Sequence, residues 1–302
     1  MSKSWLKFCL IFLISCFFFA CASPSIQPKK SAIESPQRVV ALTSLTADIT
    51  EILAPNRLVG IVGNSLLTND DRFKDIELVS QGQTPPNLEK IIDLQPDLVI
   101  GAAGFYSQTM AKLEELGIGT LETKVDSWER LLATTKTLGD RLDVDPQPLL
   151  NQYQSFIQDL PAASPSTLLI INNKPILSPN KNSWAGDLLG QFNAKNVTAS
   201  IQGDSNLFRG YVTLSPETII KTNPEVILVV NADPNILNKF KADPFWKELK
   251  ATQSDRVYSF DYFGLVNPGS IEKIKETCTR LKQVLQEYKI AKSSRANIIF
   301  EK

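Results

Sequence analysis

Asn87-Leu88-Glu89-Lys90-Ile91-Ile92-Asp93-Leu94-Gln95-Pro96-Asp97-Leu98-Val99-Ile100 is read again, 128 residues on, as Ser215-Pro216-Glu217-Thr218-Ile219-Ile220-Lys221-Thr222-Asn223-Pro224-Glu225-Val226-Ile227-Leu228. In each copy a residue with a capping side chain opens a short helix that carries glutamate in its first turn. Two isoleucines follow at the same offset, then an X-Pro stop, an acidic residue and an apolar strand. A unit used twice at this spacing predicts two similar α/β lobes. It also places one carboxylate, Glu89 or Glu217, at a matching position on each.

The rest of the chain agrees with an α/β class. Arg38-Val39-Val40-Ala41-Leu42 reads as a buried strand running into the polar turn Thr43-Ser44-Leu45-Thr46, with a helix behind it. Leu58 to Gly63 is a second apolar strand, and residues 88–94 and 97–102 are the repeat's helix and strand. Alternation of this kind is the signature of parallel sheets with helices on their faces. Asp145-Pro146 opens a helix expected to reach residue 160, with Leu149, Leu150, Tyr153, Phe156, Ile157 and Leu160 at helical spacing. At about 15 residues it is long enough to cross between lobes. A last helix is expected over 270–287, with a basic, frayed tail at 288–302.

Composition removes several classes of function. With 43% hydrophobic residues, 21% charged and a formal net charge of zero, the chain has ample core and no basic face for nucleic acid. It contains no histidine, which excludes His-ligated metal or haem sites and His-dependent triads. There is no G-x-S-x-G, cysteine motif or phosphate-binding loop, so the chain reads as not an enzyme; the competing class, a secreted α/β enzyme, would need one of them. Cys278 stands alone on a helix and reads as a small buried apolar residue.

Residues 1–20 have the form of a signal peptide: Lys3 and Lys7, then an apolar run from Phe8 to Ala20 too short for a comfortable membrane span. Ala20-Cys21 followed by a Pro/Ser/Gln/Lys stretch resembles a bacterial lipoprotein signal, with Cys21 as the lipidated residue and 21–37 as tether. Cys16, plain secretion with cleavage at Ala20-x-Ala22, or an uncleaved anchor are the alternatives. Each places the folded part outside the cytoplasm, on the periplasmic face.

With these elements laid out, the chain resembles the substrate-binding proteins of ABC importers for iron–siderophores, haem and cobalamin. The likeness covers about residues 37–287. Its motifs are Arg38 to Leu42 with Thr50-Glu51-Ile52-Leu53, the two repeat copies, Lys112-Leu113-Glu114-Glu115-Leu116-Gly117-Ile118, Gly186-Asp187-Leu188-Leu189 and Asp255-Arg256-Val257-Tyr258. The resemblance implies two α/β lobes with mainly parallel sheets, joined by one long α-helix. On this chain the lobes would span 38–143 and 163–287, with the connecting helix at 144–162. It implies a monomer that captures a metal chelate between the lobes, ferric siderophore first, with cobalamin or another corrinoid or haem as alternatives. It implies no cofactor. The partner is an ABC permease dimer with its ATPase subunits.

Glutamate in a first helical turn is favoured by the helix dipole, which explains Glu89 and Glu217 singly. It does not explain their pairing across lobes; the resemblance implies that both dock on arginines of the permease. The ligand cleft is expected where strand C-terminal loops of the two lobes face each other. The sharpest candidates are Tyr106, Trp184, Arg209, Tyr211 and Tyr262, with Phe105 and Ser44 beside them. Thr46, Asn64, Gln81, Gln83, Lys174, Phe208, Asp261 and Phe263 complete the set. Aromatic faces suit a flat or bulky ligand, and arginine suits its oxygens. Core packing is the competing reading for Trp184, and a solvated loop charge for Arg209. A preassembled chelate needs no protein ligand, so no metal-binding residue is assigned.

Overall fold

Val39-Val40-Ala41 (β1, Val39–Ala41) is buried on both faces, as a central strand of a parallel sheet must be. The computed structural model describes residues 35–300 other than 82–83, 174, 203–209, 231–237 and 239–243. Around β1 lie β2 (Leu58–Gly63), β3 (Glu77–Gln81), β4 (Leu98–Ala102) and β5 (Gly119–Thr123), all parallel in the order β3-β2-β1-β4-β5. The chain winds outward from β1 in one direction to β3, then returns to β4 and winds the other way. That reversal opens a crevice at the C-terminal ends of β1 and β4. Helices α1 (Ser44–Leu53), α2 (Leu88–Asp93) and α3 (Ser107–Glu115) connect the strands.

From β5 the chain passes to the second lobe through α4 (Trp128–Leu142), 15 residues long, and α5 (Gln147–Phe156), ten residues long. The helix expected to run to residue 160 is α5, and it stops short. Ile157 leaves helical geometry at φ −113°, and Asp159 at φ +52° with Pro161 behind it keeps the helix from resuming. Leu149, Tyr153 and Phe156 of α5 are buried.

The second lobe contains β6 (Ser166–Ile170), a small antiparallel sheet of β7 (Asn172–Asn173), β8 (Ile176–Pro179) and β10 (Tyr211–Leu214), and the strands β9 (Lys195–Asn196), β11 (Val226–Val230) and β12 (Val257–Phe260). Its main sheet is parallel, in the order β12-β11-β6-β9. Helices α6 (Trp184–Gln191) and α7 (Pro216–Thr222) lie between these strands.

The sequence repeat is a repeat in space. Val39 pairs with Leu98, and 128 residues on, Thr167 pairs with Val226. Asn87 Oδ1 accepts from the Lys90 N–H at 3.0 Å, as Ser215 Oγ accepts from the Thr218 N–H at 3.3 Å. Asp97 Oδ2 accepts from the Arg38 N–H at 2.8 Å, and Glu225 Oε2 from the Ser166 N–H at 3.0 Å. The acidic residue behind each proline therefore closes the entrance to the neighbouring strand.

The final helix, α8 (Ile271–Phe300), runs well past the expected boundary at 287. Tyr288 is 3% exposed and its hydroxyl donates to Glu225 Oε1 at 2.7 Å, which anchors the start of the segment read as a frayed tail. Cys278 is buried on this helix. No helix among the described residues is long and apolar enough to cross a membrane.

Candidate functional site

A cleft of about 520 Å³ opens between the lobes. All five strands of the first sheet deliver residues to it from their C-terminal ends: Leu42, Thr43, Ser44, Leu45 and Thr46 after β1, Val62 and Asn64 at β2, Ser80 at β3, Ala102 and Ala103 at β4, and Thr123 at β5. The opposite wall is Tyr211, which begins β10, and Tyr262, Phe263, Val266, Asn267 and Pro268, which follow β12. This is the position that open α/β sheets reserve for ligands.

Local chemistry explains each wall. Thr43 caps α1, its hydroxyl accepting from the Thr46 N–H at 3.2 Å, so the first turn of α1 stands at the cleft. Gly104 takes φ +79° and turns the chain so that Phe105 and Tyr106 stand together, ring centroids 6.5 Å apart. Phe105 is 79% exposed, whereas Tyr106 is half-buried and packed against the core. Across the cleft, Asp261 accepts from the Phe263 N–H at 3.1 Å and opens the turn that carries Tyr262. Burial, with Tyr262 close by, pushes the Tyr211 hydroxyl up to about 12, so it faces a ligand as a neutral donor and acceptor. Lys124 and Asp126 lie at the first-lobe rim, paired at 2.7 Å.

Ser44, Thr46, Asn64, Phe105, Tyr106, Tyr211, Tyr262 and Phe263 are thus brought together. Gln81 and Asp261 are not in the lining; Gln81 bonds to Thr84, and Asp261 supports its turn. Trp184 is a correction. It is 3% exposed, stacks on Trp128 at 6.0 Å between ring centroids, and donates its indole N–H to the Gly264 carbonyl at 2.8 Å. Asp187, one turn along α6, accepts from the Trp128 N–H at 2.7 Å. Trp184 therefore joins α4 to the second lobe, behind the cleft wall. Arg209, Phe208, Lys174, Gln83 and the N-terminal segment with Cys16 and Cys21 lie outside the described residues.

Lys124, Asp126, Asn267 and Pro268 were missed from sequence. The usable signal was position, since each follows a strand end of the kind that lines such crevices.

Glu89 and Glu217 lie away from the cleft lining, exposed in the first turns of α2 and α7. The Ser215 hydroxyl and the residue's own backbone N–H hold the Glu217 carboxyl below the usual carboxylate range.

The sequence pattern of the periplasmic binding protein family matches residues 39–262. A vitamin B12-binding protein of Vibrio cholerae serotype O1 is 25% identical over 285 residues, covering 90% of this chain and 98% of that protein. The Fe(3+)-citrate-binding protein YfmC of Bacillus subtilis is 24% identical, covering 77% of this chain and 76% of its own. Among solved structures, an ABC transporter substrate-binding protein from Listeria monocytogenes superposes with a TM-score of 0.68 at 22% identity, over 84% of this chain and 99% of that one. At that identity the likeness is one of fold.

Proposed function

The chain belongs to the periplasmic binding protein family, as a binding protein of an ABC importer and not an enzyme, and we propose that its cargo is a bulky, weakly charged metal chelate, a corrinoid in the first place. The observation that carries this is the character of the cleft. Its described lining is aliphatic, aromatic, hydroxyl and amide, and the one cation in it, Lys124, is already paired with Asp126. An anionic siderophore calls for unpaired cations. A flat macrocycle fringed with amides calls for aromatic faces and neutral donors and acceptors, which Tyr106, Tyr211, Tyr262, Ser44 and Asn64 offer. The sequence alone put ferric siderophore first; the paired Lys124 supports placing the corrinoid ahead of it.

Ferric siderophore or ferric citrate is the second reading. Arg209, two residues before the lining residue Tyr211 in sequence, favours it.

In this reading Glu89 and Glu217 dock on cationic side chains of the two permease subunits. Cys21 carries the lipid that holds the protein at the membrane. The monomer shuttles between solute and permease.

Equilibrium dialysis of the purified protein against cyanocobalamin, haemin, ferric citrate, a hydroxamate and a catecholate tests the cargo. Cyanocobalamin is expected to be retained at about micromolar concentration or below, the range of a specific small-molecule site. Retention of the iron chelates alone would remove the corrinoid and leave the importer. Retention of none would remove the chelate altogether.

A further inference from the structure

The fourteen-residue repeat was singled out for its glutamates, but it holds a second exposed identity. Four residues are the same in both copies: Glu89 and Glu217, Ile91 and Ile219, Ile92 and Ile220, Pro96 and Pro224. Two of these pairs serve the scaffold. Ile91 and Ile219 are core residues at 0% and 1% exposure, and the prolines stop the helices. Ile92 and Ile220 serve no core. They are 37% and 54% exposed, among the few large apolar side chains on the described surface.

Their exposed neighbour has diverged: Asp93 of one copy is Lys221 of the other. An exposed isoleucine kept beside such a change is not required by folding, which would accept any helix-compatible polar residue there. Each isoleucine stands three residues after its glutamate, and three residues on a helix return to the same face. The two lobes therefore each present a carboxylate with an apolar knob next to it.

We propose that Ile92 and Ile220 are paired hydrophobic anchors of the permease interface, each entering an apolar pocket beside the cation that meets Glu89 or Glu217. This rests on the importer reading above. One patch shown twice by a single chain suits a partner made of two like halves. A second copy of this chain suits it poorly, because glutamate would be set against glutamate. A buried apolar anchor next to a desolvated charge pair is also the composition from which interfaces draw most of their affinity.

The test is uptake of radiolabelled cyanocobalamin by source cells whose chromosomal copy is replaced by variants, with dialysis of each purified variant in parallel. Should dialysis retain ferric citrate instead, radiolabelled ferric citrate is the probe. The double variant Ile92→Ser/Ile220→Ser is expected to lose uptake about tenfold or more, and each single variant by about threefold, with ligand retention unchanged, since truncated interface anchors commonly cost this much. The conservative pair Ile92→Val/Ile220→Val should recover most of the loss. Asp93→Ser/Lys221→Ser, on the same helices, should transport like the parent. Normal uptake by the Ile→Ser pair, with uptake abolished by Glu89→Arg/Glu217→Arg, would overturn the anchors and leave the glutamate docking in place. Loss of ligand retention in the Ile→Ser pair would make the isoleucines structural and overturn the proposal likewise. No uptake by the parent chain would remove the importer reading and the anchors with it.

Discussion

Asp48 on α1 accepts the backbone N–H of Ile271 at 2.7 Å, joining the cleft helix of the first lobe to the first residue of α8, 223 positions later. Its other oxygen takes the Arg72 guanidinium at 2.8 Å, and the residue is 1% exposed. Within the turn before Asp48 are Ser44 and Thr46 of one cleft wall; just before Ile271 are Asn267 and Pro268 of the other. A single buried carboxylate therefore holds both walls in register.

Removing it orphans a buried donor. Asp48→Ala is expected to destabilise the protein by about 2 kcal/mol, within the range for an unsatisfied buried N–H. Arg72 keeps Asp70 at 2.6 Å, so the arginine itself is not left bare. Asp48→Asn, which retains a carbonyl acceptor, should lose less. Urea unfolding ranks the three proteins, and equal midpoints would show that the bond contributes nothing. Ligand affinity should fall in the same order.

Glu225 gives stability a pH dependence. Burial alone would raise its carboxyl, but hydrogen bonds from the Ser166 N–H, the Tyr288 hydroxyl and the Ser166 hydroxyl, with Lys292 near, bring it below the usual carboxylate range. A carboxylate with a lowered folded value contributes stability above its unfolded value and loses it as pH falls through the folded one. The melting temperature of the parent should therefore drop more steeply than that of Glu225→Gln between about pH 5 and 3. Parallel curves would place the acid sensitivity elsewhere.

Cys278 reports on α8. Burial pushes its thiol up to about 12, and it is 1% exposed. In a chain begun after Cys21 it is the sole thiol. It should resist an aromatic disulfide reagent at about pH 8 in the native state and react at once in denaturant. Immediate reaction without denaturant would mean that α8 opens on the timescale of mixing.

The scaffold was legible because its signals are local. Capping side chains at Asn87 and Ser215, prolines at 96 and 224 and continuous apolar strands need no partner to be recognised. The edge strand β3 was missed because Leu78-Val79 is flanked by Glu77, Ser80 and Gln81 and carries too little apolar length. The end of α8 was missed because a basic tail looks solvated until Tyr288 is seen to reach Glu225, 63 residues away. Trp184 was misread for a similar reason. An aromatic residue at the start of a helix can turn toward a cleft or toward a neighbour, and what decides is Trp128, on an element whose placement no local pattern reveals.

The cleft tyrosines separate ring from hydroxyl. Tyr262 is 44% exposed beside Phe263, with ring centroids 5.5 Å apart, so it offers a face that a macrocycle can cover. Tyr262→Ala should weaken chelate binding by about 1–1.5 kcal/mol, roughly tenfold, the scale of one aromatic contact. Tyr262→Phe should bind nearly as well, because the exposed hydroxyl gives up water to gain a ligand group. Tyr211 should behave differently. It is half-buried, and burial raises its hydroxyl to about 12, so a ligand that bonds to it displaces less water than one at Tyr262. Tyr211→Phe is therefore expected to lose more affinity than Tyr262→Phe. Trp184→Phe serves as the contrast: it deletes the bond to Gly264 and should lower the melting temperature with little direct effect on affinity. Isothermal titration of the variants with the chelate retained in dialysis decides the matter. If Trp184→Phe alone abolished binding while the tyrosine variants bound normally, the ligand would have to lie at the lobe joint rather than in the cleft.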